Sequence, residues 1–232
     1  MKKKSKRYRK GLEQVEAGKL YPLADALKVL KELPPAKFDE TVELAFFMGI
    51  DPKQTEQLVR GTVALPHGTG KKVRIAVFAK GSQADEAKAA GADIIGYEDL
   101  IKKVSEGWSE FDMAVTTPDL MKEVGRLGKI LGPRGLMPSP KTGTVTREIG
   151  KTIKELKAGR IEFRTDKGAN IQVPIGKRSF AAGALEENAR AVIEGLLKAK
   201  PPSVKGIYMK KCVLSSTMGA GVPVDMKEFV TV

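Results

Sequence analysis

The feature that most constrains the fold is that the hydrophobic period changes twice along the chain. In the middle, short continuous apolar runs at 73–79 (VRIAVFA), 92–96 (ADIIG) and 112–117 (DMAVTT) alternate with helical stretches at 82–90 and 97–106, and a further helix starts at Pro118. Uninterrupted apolar strands separated by helices predict a small parallel sheet covered on both faces. Outside this region the pattern differs. Residues 5–18 and 23–33 read as helices, the second with Leu23, Ala26, Leu27 and Leu30 at helical spacing and Pro34-Pro35 ending it. Residues 41–50 and 57–65 read as strands. After Gly159, 160–165 and 170–174 read as strands, 186–198 as a helix with Ala189, Val192, Ile193 and Leu196 on one face, and 206–215 as a final strand. The expected class is therefore α/β together with α+β.

This order permits a two-domain chain in which an α/β unit, 69–158, interrupts an α+β domain made from 1–68 and 159–232. Two consecutive domains followed by a tail fit the pattern nearly as well. In the inserted arrangement the chain crosses twice, and the glycine-bearing segments at 65–70 and 157–160 are the candidate hinges, with Pro66, His67, Gly68, Ala158 and Gly159 at their centres.

Charge narrows the partner. The 232 residues carry 41 Lys and Arg against 28 Asp and Glu, a net charge of +13, which points to a polyanion. The middle is polarised: 69–121 has 7 basic and 9 acidic residues, 122–158 has 9 basic and 3 acidic. A single cysteine, Cys212, excludes an internal disulfide, and with one histidine it cannot build a structural zinc site, so a reducing compartment and no metal are expected. The N-terminal MKKKSKRYRKG is basic enough to begin a signal peptide, but no apolar run follows. The most apolar stretch, 44–50, is too short to span a bilayer, so a soluble protein of the cell interior is expected.

No segment assembles a catalytic constellation. Residues 68–72 (GTGKK) lack the first glycine and the Ser or Thr of a phosphate loop and precede a strand instead of following it. The turn at 80–83 (KGSQ) lacks GxGxxG and reads as an ordinary strand-to-helix turn with Ser82 as N-cap. His67 stands among turn residues without a Ser or Cys partner and reads as a loop or hinge histidine. Cys212 alternates with apolar neighbours and reads as a buried small hydrophobe. Asp39, Glu40 and Glu43 lack a titrating partner and read as a solvated strand edge.

Three segments suit nucleic acid. The loop at 128–141 (GKILGPRGLMPSPK) sets exposed Leu136 and Met137 among basic residues on a Gly- and Pro-shaped backbone. At 215–219 (SSTMG) three hydroxyls, a Met and a Gly follow a strand, a composition suited to ribose and phosphate but equally to an ordinary turn. At 37–41 (KFDET) a cation, an aromatic and a hydroxyl stand at a strand entrance, although Phe38 taken alone reads as core.

Together, KFDETVELAFFMGIDPKQTEQLVRGTVALPHGTGKK, GKILGPRGLMPSPKTGTV, AGRIEFRTDKGANIQVPIGK and SSTMG closely resemble the bacterial L-one family of ribosomal proteins, in the family's order and over essentially the whole chain. The resemblance implies a split β-α-β RNA-binding domain formed by both chain ends, with an inserted three-layer, Rossmann-like α/β domain joined by two hinge strands. It implies a non-enzymatic, cofactor-free protein of the cytoplasmic ribosome, monomeric when free and not membrane-bound. Its partner would be large-subunit rRNA, with which it forms the mobile stalk at the tRNA exit site and assists release of deacylated tRNA. The same surface would bind the protein's own mRNA and repress its translation. The implied RNA-contacting residues are Lys37, Phe38, Thr41, Arg164, Lys167, Thr217, Met218 and Gly219. Glu43 joins them as an acid that must accept from a 2′-OH or base donor, or orient a neighbouring cation. Lys3, Lys4 and Lys6 would add sequence-independent attraction, and the loop around Arg134 a further contact. A phosphorylated-ligand-binding α/β enzyme or sensor is the alternative; sequence-specific DNA binding lacks a helix-turn-helix or zinc finger.

Overall fold

The computed structural model describes residues 5–229; Lys3 and Lys4 lie outside the described residues. The chain opens with α1 (Lys6–Gln14), α2 (Leu23–Glu32), β1 (Thr41–Met48) and β2 (Arg60–Ala64). It continues through β3 (Ile75–Phe78), α3 (Ser82–Ala89), β4 (Ile94–Gly96), α4 (Glu98–Ser105), β5 (Met113–Thr116), α5 (Met121–Val124), α6 (Gly128–Leu131) and α7 (Ile149–Lys157). It closes with β6 (Arg160–Arg164), β7 (Asn170–Lys177), α8 (Ala182–Lys198), β8 (Met209–Ser216) and β9 (Val222–Val224). Two compact units result, one from residues 1–70 with 161–232, the other from 71–160.

In the first unit a four-stranded sheet has the order β7-β1-β8-β9. β7, α8 and β8 form a β-α-β whose strands are split apart by β1, which pairs antiparallel with both. Side chains alternate across a strand, so Val42, Leu44, Phe46 and Met48 face inward and are buried, while Thr41, Glu43, Ala45 and Phe47 face outward. α2 and α8 cover the inner face, joining Leu23, Leu27 and Leu30 to Leu185, Val192 and Leu196 in one core. β2 and β6 form a separate two-stranded sheet. At β2, Gly195 of α8 admits Val63, whose Cγ2 would lie 2.2 Å from a Cβ at that position. The sheet carries two register breaks. One lies between Val42 and Glu43, where edge strand β7 accommodates Pro174. The other lies between Phe47 and Met48, where Lys210 and Lys211 together oppose the single residue Phe47.

The second unit has the parallel order β4-β3-β5. β3 is buried on both faces: Ile75 and Val77 pack with α3 and α7, Ala76 and Phe78 with α4, α5 and α6, which makes three layers.

Several readings need correction. α7 and β9 have no counterpart among the predicted elements. α1 is shorter than expected, with its C-cap at Val15, and β2 starts only at Arg60 because Thr55–Gln57 forms a 3-10 turn. α8 begins at Ala182 and β7 runs on to Lys177. The stretch from Pro118 is a series of short helical turns. Ser82 is the first helical residue and not the cap; Gly81, at φ +55°, holds the N-cap position in a conformation that favours glycine. Leu136 and Met137 are half-buried against the core that contains Phe78 and Leu131. Cys212 is buried, as expected, and burial pushes its thiol pKa up to about 12.

Two carboxyls titrate below their ordinary value. Asp112 is lowered chiefly by the Lys71 ammonium at 2.7 Å and then by the Arg74 N–H at 3.0 Å; Asp166 is lowered chiefly by the Asn170 N–H at 2.8 Å. A carboxyl depressed in the folded state contributes stability that is complete above its unfolded pKa and lost as pH falls through the folded one. Urea unfolding is therefore expected to show a midpoint that is flat from pH 7 to 5 and falls below about pH 4. In Asp112→Asn the midpoint should be lower at pH 7 and the fall shallower; an unchanged acid profile in that variant would contradict the assignment.

Candidate nucleic-acid interface

The entrance to β1 is organised by one carboxylate. Glu40 is fully buried, not part of a solvated edge. Its Oε2 accepts from Arg178 Nη1 at 3.1 Å and from the Ala36 N–H at 3.3 Å, and its Oε1 accepts from the Met218 N–H at 3.0 Å, with the Arg7 guanidinium 3.7 Å away. Arg178 also donates to the carbonyls of Lys31 and Leu33, and Lys31 to those of Arg178 and Phe180. Burial, followed by the neighbouring Arg178 charge, lowers the Lys31 pKa. A buried ion is tolerable only when its hydrogen-bonding capacity is met, and this one is met by donors from three separate chain segments.

The same contacts fix the turn after β8. Thr41 and Thr217 bind reciprocally: the Thr41 N–H donates to Thr217 Oγ1 at 3.0 Å, and the Thr217 N–H donates to the Thr41 carbonyl at 3.0 Å. Met218 is held by its N–H on Glu40 and by its carbonyl, which accepts from Arg7 Nη2 at 2.8 Å, yet its side chain is 54% exposed. Gly219 donates to the Ser216 carbonyl at 2.9 Å, and a Cβ there would fall 2.3 Å from the buried Ser216 hydroxyl, which would have to rotate away to admit it. That hydroxyl has no hydrogen-bond partner among the described residues. Lys177 Nζ donates to Thr41 Oγ1 at 3.0 Å.

The structure therefore brings together Thr41, Thr217, Met218 and Gly219. Glu43 is near them on the outer face, in register with Ser215 and Pro174. Lys37 and Phe38 precede β1 and are exposed, Phe38 by 55%, so Phe38 is not core. Arg164 and Lys167 stand elsewhere. They lead into Asn170, which pairs with Phe47 at the far end of β1, about 20 Å from Thr41 at 3.3 Å per residue. Arg7, Glu40, Lys177 and Arg178 were not foreseen; the signal for Arg7 and Arg178 was only their charge.

The hinge candidates are tied to their own units. The buried Asn188 of α8 accepts from the His67 N–H at 3.0 Å and donates to the Gly68 carbonyl at 3.0 Å and the Ile175 carbonyl at 2.8 Å. His67 Nε2 lies 2.6 Å from Glu187 Oε2, and Pro66 is exposed beside it. Ala158 caps α7, and Gly159, at φ +106°, turns the chain from α7 into β6.

These features define a class: a basic protein of two α+β and α/β units whose most elaborate site presents backbone, hydroxyls and cations at one end of a sheet. Among the described residues no group of three His, Cys, Asp or Glu side chains could hold a metal ion, and no helix is long and apolar enough to cross a membrane. Residues 30–220 match the Ribosomal protein L1p/L10e family. The chain is also 52% identical over 224 residues to the large ribosomal subunit protein uL1 of Protochlamydia amoebophila, covering 97% of this chain and 95% of that one. The chain belongs to the Ribosomal protein L1p/L10e family, whose members are structural components of the ribosome and not enzymes.

Glu40→Ala would leave the nearly buried Arg178 unpaired and the Met218 N–H without an acceptor. A loss of about 3–5 kcal/mol in unfolding free energy is expected by denaturant titration; a loss below about 1 kcal/mol would mean that the network is not coupled as drawn.

Proposed function

We propose that this chain is a large-subunit ribosomal protein that grips rRNA through the Thr41–Thr217 edge of its first unit. The observation that carries this reading is the reciprocal Thr41–Thr217 pairing, which holds Met218 and Gly219 in one exposed conformation before any ligand arrives. Preorganised backbone and hydroxyl groups suit the ribose 2′-OH and phosphates, while Lys37, Phe38 and Lys177 supply a base-stacking aromatic and cations. Glu43 takes a 2′-OH or base donor. Arg164 and Lys167 contact RNA beyond this edge.

On the ribosome, in the cytoplasm, the complex forms the mobile stalk at the tRNA exit site and assists release of deacylated tRNA. The same edge binds a similar structure in the protein's own mRNA and represses its translation; the free protein is a monomer. Stalk motion draws on bending between Gly68 and Lys71 and at Ala158–Gly159. Support for these finer roles comes from family membership, the net charge of +13 and the left-handed glycines Gly68, Gly70 and Gly159 at the crossings.

In filter binding, the stalk fragment of large-subunit rRNA should be preferred over an unrelated structured RNA of equal length. With six phosphate contacts its affinity should fall by about 10³ between 50 and 200 mM salt, the preference surviving at the higher salt. Equal binding of both RNAs would overturn the reading. Thr217→Val removes the acceptor for the Thr41 N–H and should weaken stalk RNA binding by about 1–3 kcal/mol; unchanged affinity in a folded variant would remove this edge from the site.

A further inference from the structure

We propose that the opposite end of the same sheet face is a second RNA contact, where Phe47 stacks on an unpaired base and Lys210 and Lys211 hold the phosphates beside it. This rests on the rRNA-binding reading and extends it to three residues outside the expected contact set, at the end of β1 into which the segment carrying Arg164 and Lys167 leads. Phe46 and Phe47 are adjacent in β1 and fare oppositely: Phe46 is buried in the core, while Phe47 points to the outer face and is 39% exposed.

The register break makes this more than a stray surface aromatic. Regular alternation would expose one of two consecutive β8 residues and bury the other. Because Phe47 pairs with Lys211 and Met48 with Met209, Lys210 is the extra residue, and both lysines are exposed beside the ring. The Lys210 Nζ stands 5.5 Å from the ring centroid. Bulges re-aim side chains in this manner. Gly49 makes the approach feasible: it donates to the Tyr208 carbonyl at 2.6 Å, and a Cβ there would lie 1.9 Å from the Ile207 carbonyl oxygen and 3.3 Å from Lys210 Cε.

The exposed Ile207 follows Gly206 beside this end of the sheet, but the charged groups around the ring favour RNA over an apolar partner. Asn170 pairs with Phe47 on its other flank, and Lys167 and Arg164 belong to the segment leading into it. The nearby acid in that segment, Asp166, turns its carboxylate onto the N–H groups of Gly168 and Asn170 at 2.7 and 2.8 Å. Ala45, Gln172 and Val213 form the next register row, which continues the face toward Glu43 and Ser215. An aromatic set among cations on an open sheet face matches how single-stranded bases are received: the ring takes the π-face and the lysines take the backbone.

The test compares Phe47→Ala, Phe47→Leu, Phe47→Trp and Thr217→Val for binding to the stalk rRNA fragment, with circular dichroism and thermal melting to confirm folding. Phe47→Ala and Phe47→Leu should bind about 5- to 100-fold more weakly. Phe47→Trp should keep wild-type affinity, with its indole fluorescence quenched on RNA addition relative to the unmutated protein. Wild-type affinity in Phe47→Ala, with Thr217→Val impaired, would overturn the second contact and leave the rRNA-binding edge standing; the patch would then serve a protein neighbour. Wild-type affinity in Phe47→Leu alone would replace stacking by simple apolar contact and overturn the proposal as stated. No loss in either Phe47→Ala or Thr217→Val would overturn the underlying reading as well.

Discussion

The buried carboxylate of Glu40 is the constraint on which the rest of the first unit's binding edge depends. Taking an ion out of water costs several kcal/mol unless the protein replaces its hydration, so the segments that supply the replacement donors are bound to one another through it. Arg178 comes from the end of β7, the Met218 N–H from the turn after β8 and the Ala36 N–H from the approach to β1, with the Arg7 cation of α1 alongside. None of these segments touches the others by local sequence. A turn bearing an exposed Met and a glycine would ordinarily sample many shapes, and the carboxylate confines it to one.

The two units solve the problem of sheet burial differently. The parallel sheet of the second unit is sealed by helices on both faces, and its core falls into two separate clusters on either side of β3. The antiparallel sheet of the first has α2 and α8 on one face and an outer face of half-buried Thr41, Glu43, Ala45, Val213 and Ser215. An antiparallel sheet can afford this because its strands need apolar residues only at alternate positions. A face open to solvent is thus left in the unit whose pairing geometry does not require helices on both sides.

Much of this was legible in the sequence, and what was not has specific causes. The runs at 75–78 and 113–115 are apolar at every position, which only a doubly covered strand requires, so the parallel sheet could be read directly. α7 carries a readable signal in Ile149, Ile153 and Leu156 at helical spacing, but the run of Thr, Gly and Arg before it resembles loop. β9 is three residues long with a central Pro223, too little for any period. Thr217, Met218 and Gly219 stood out by type, whereas Glu40 did not: its environment is made by Arg178, 138 positions away, and no local pattern reports such a partner. Likewise the exposure of two successive lysines beside Phe47 depends on strand register, which is decided by pairing and not by composition.

Asn188 has a consequence for how the first unit loses structure. One side chain on α8 holds the N–H of His67 and the carbonyls of Gly68 and Ile175, so the segment leaving β2 is fastened to the helix and to β7 together. Segments that share buried hydrogen bonds open as one cooperative block. The amide of His67, in a stretch that looks like surface loop, should then exchange with solvent on the slow timescale of α8.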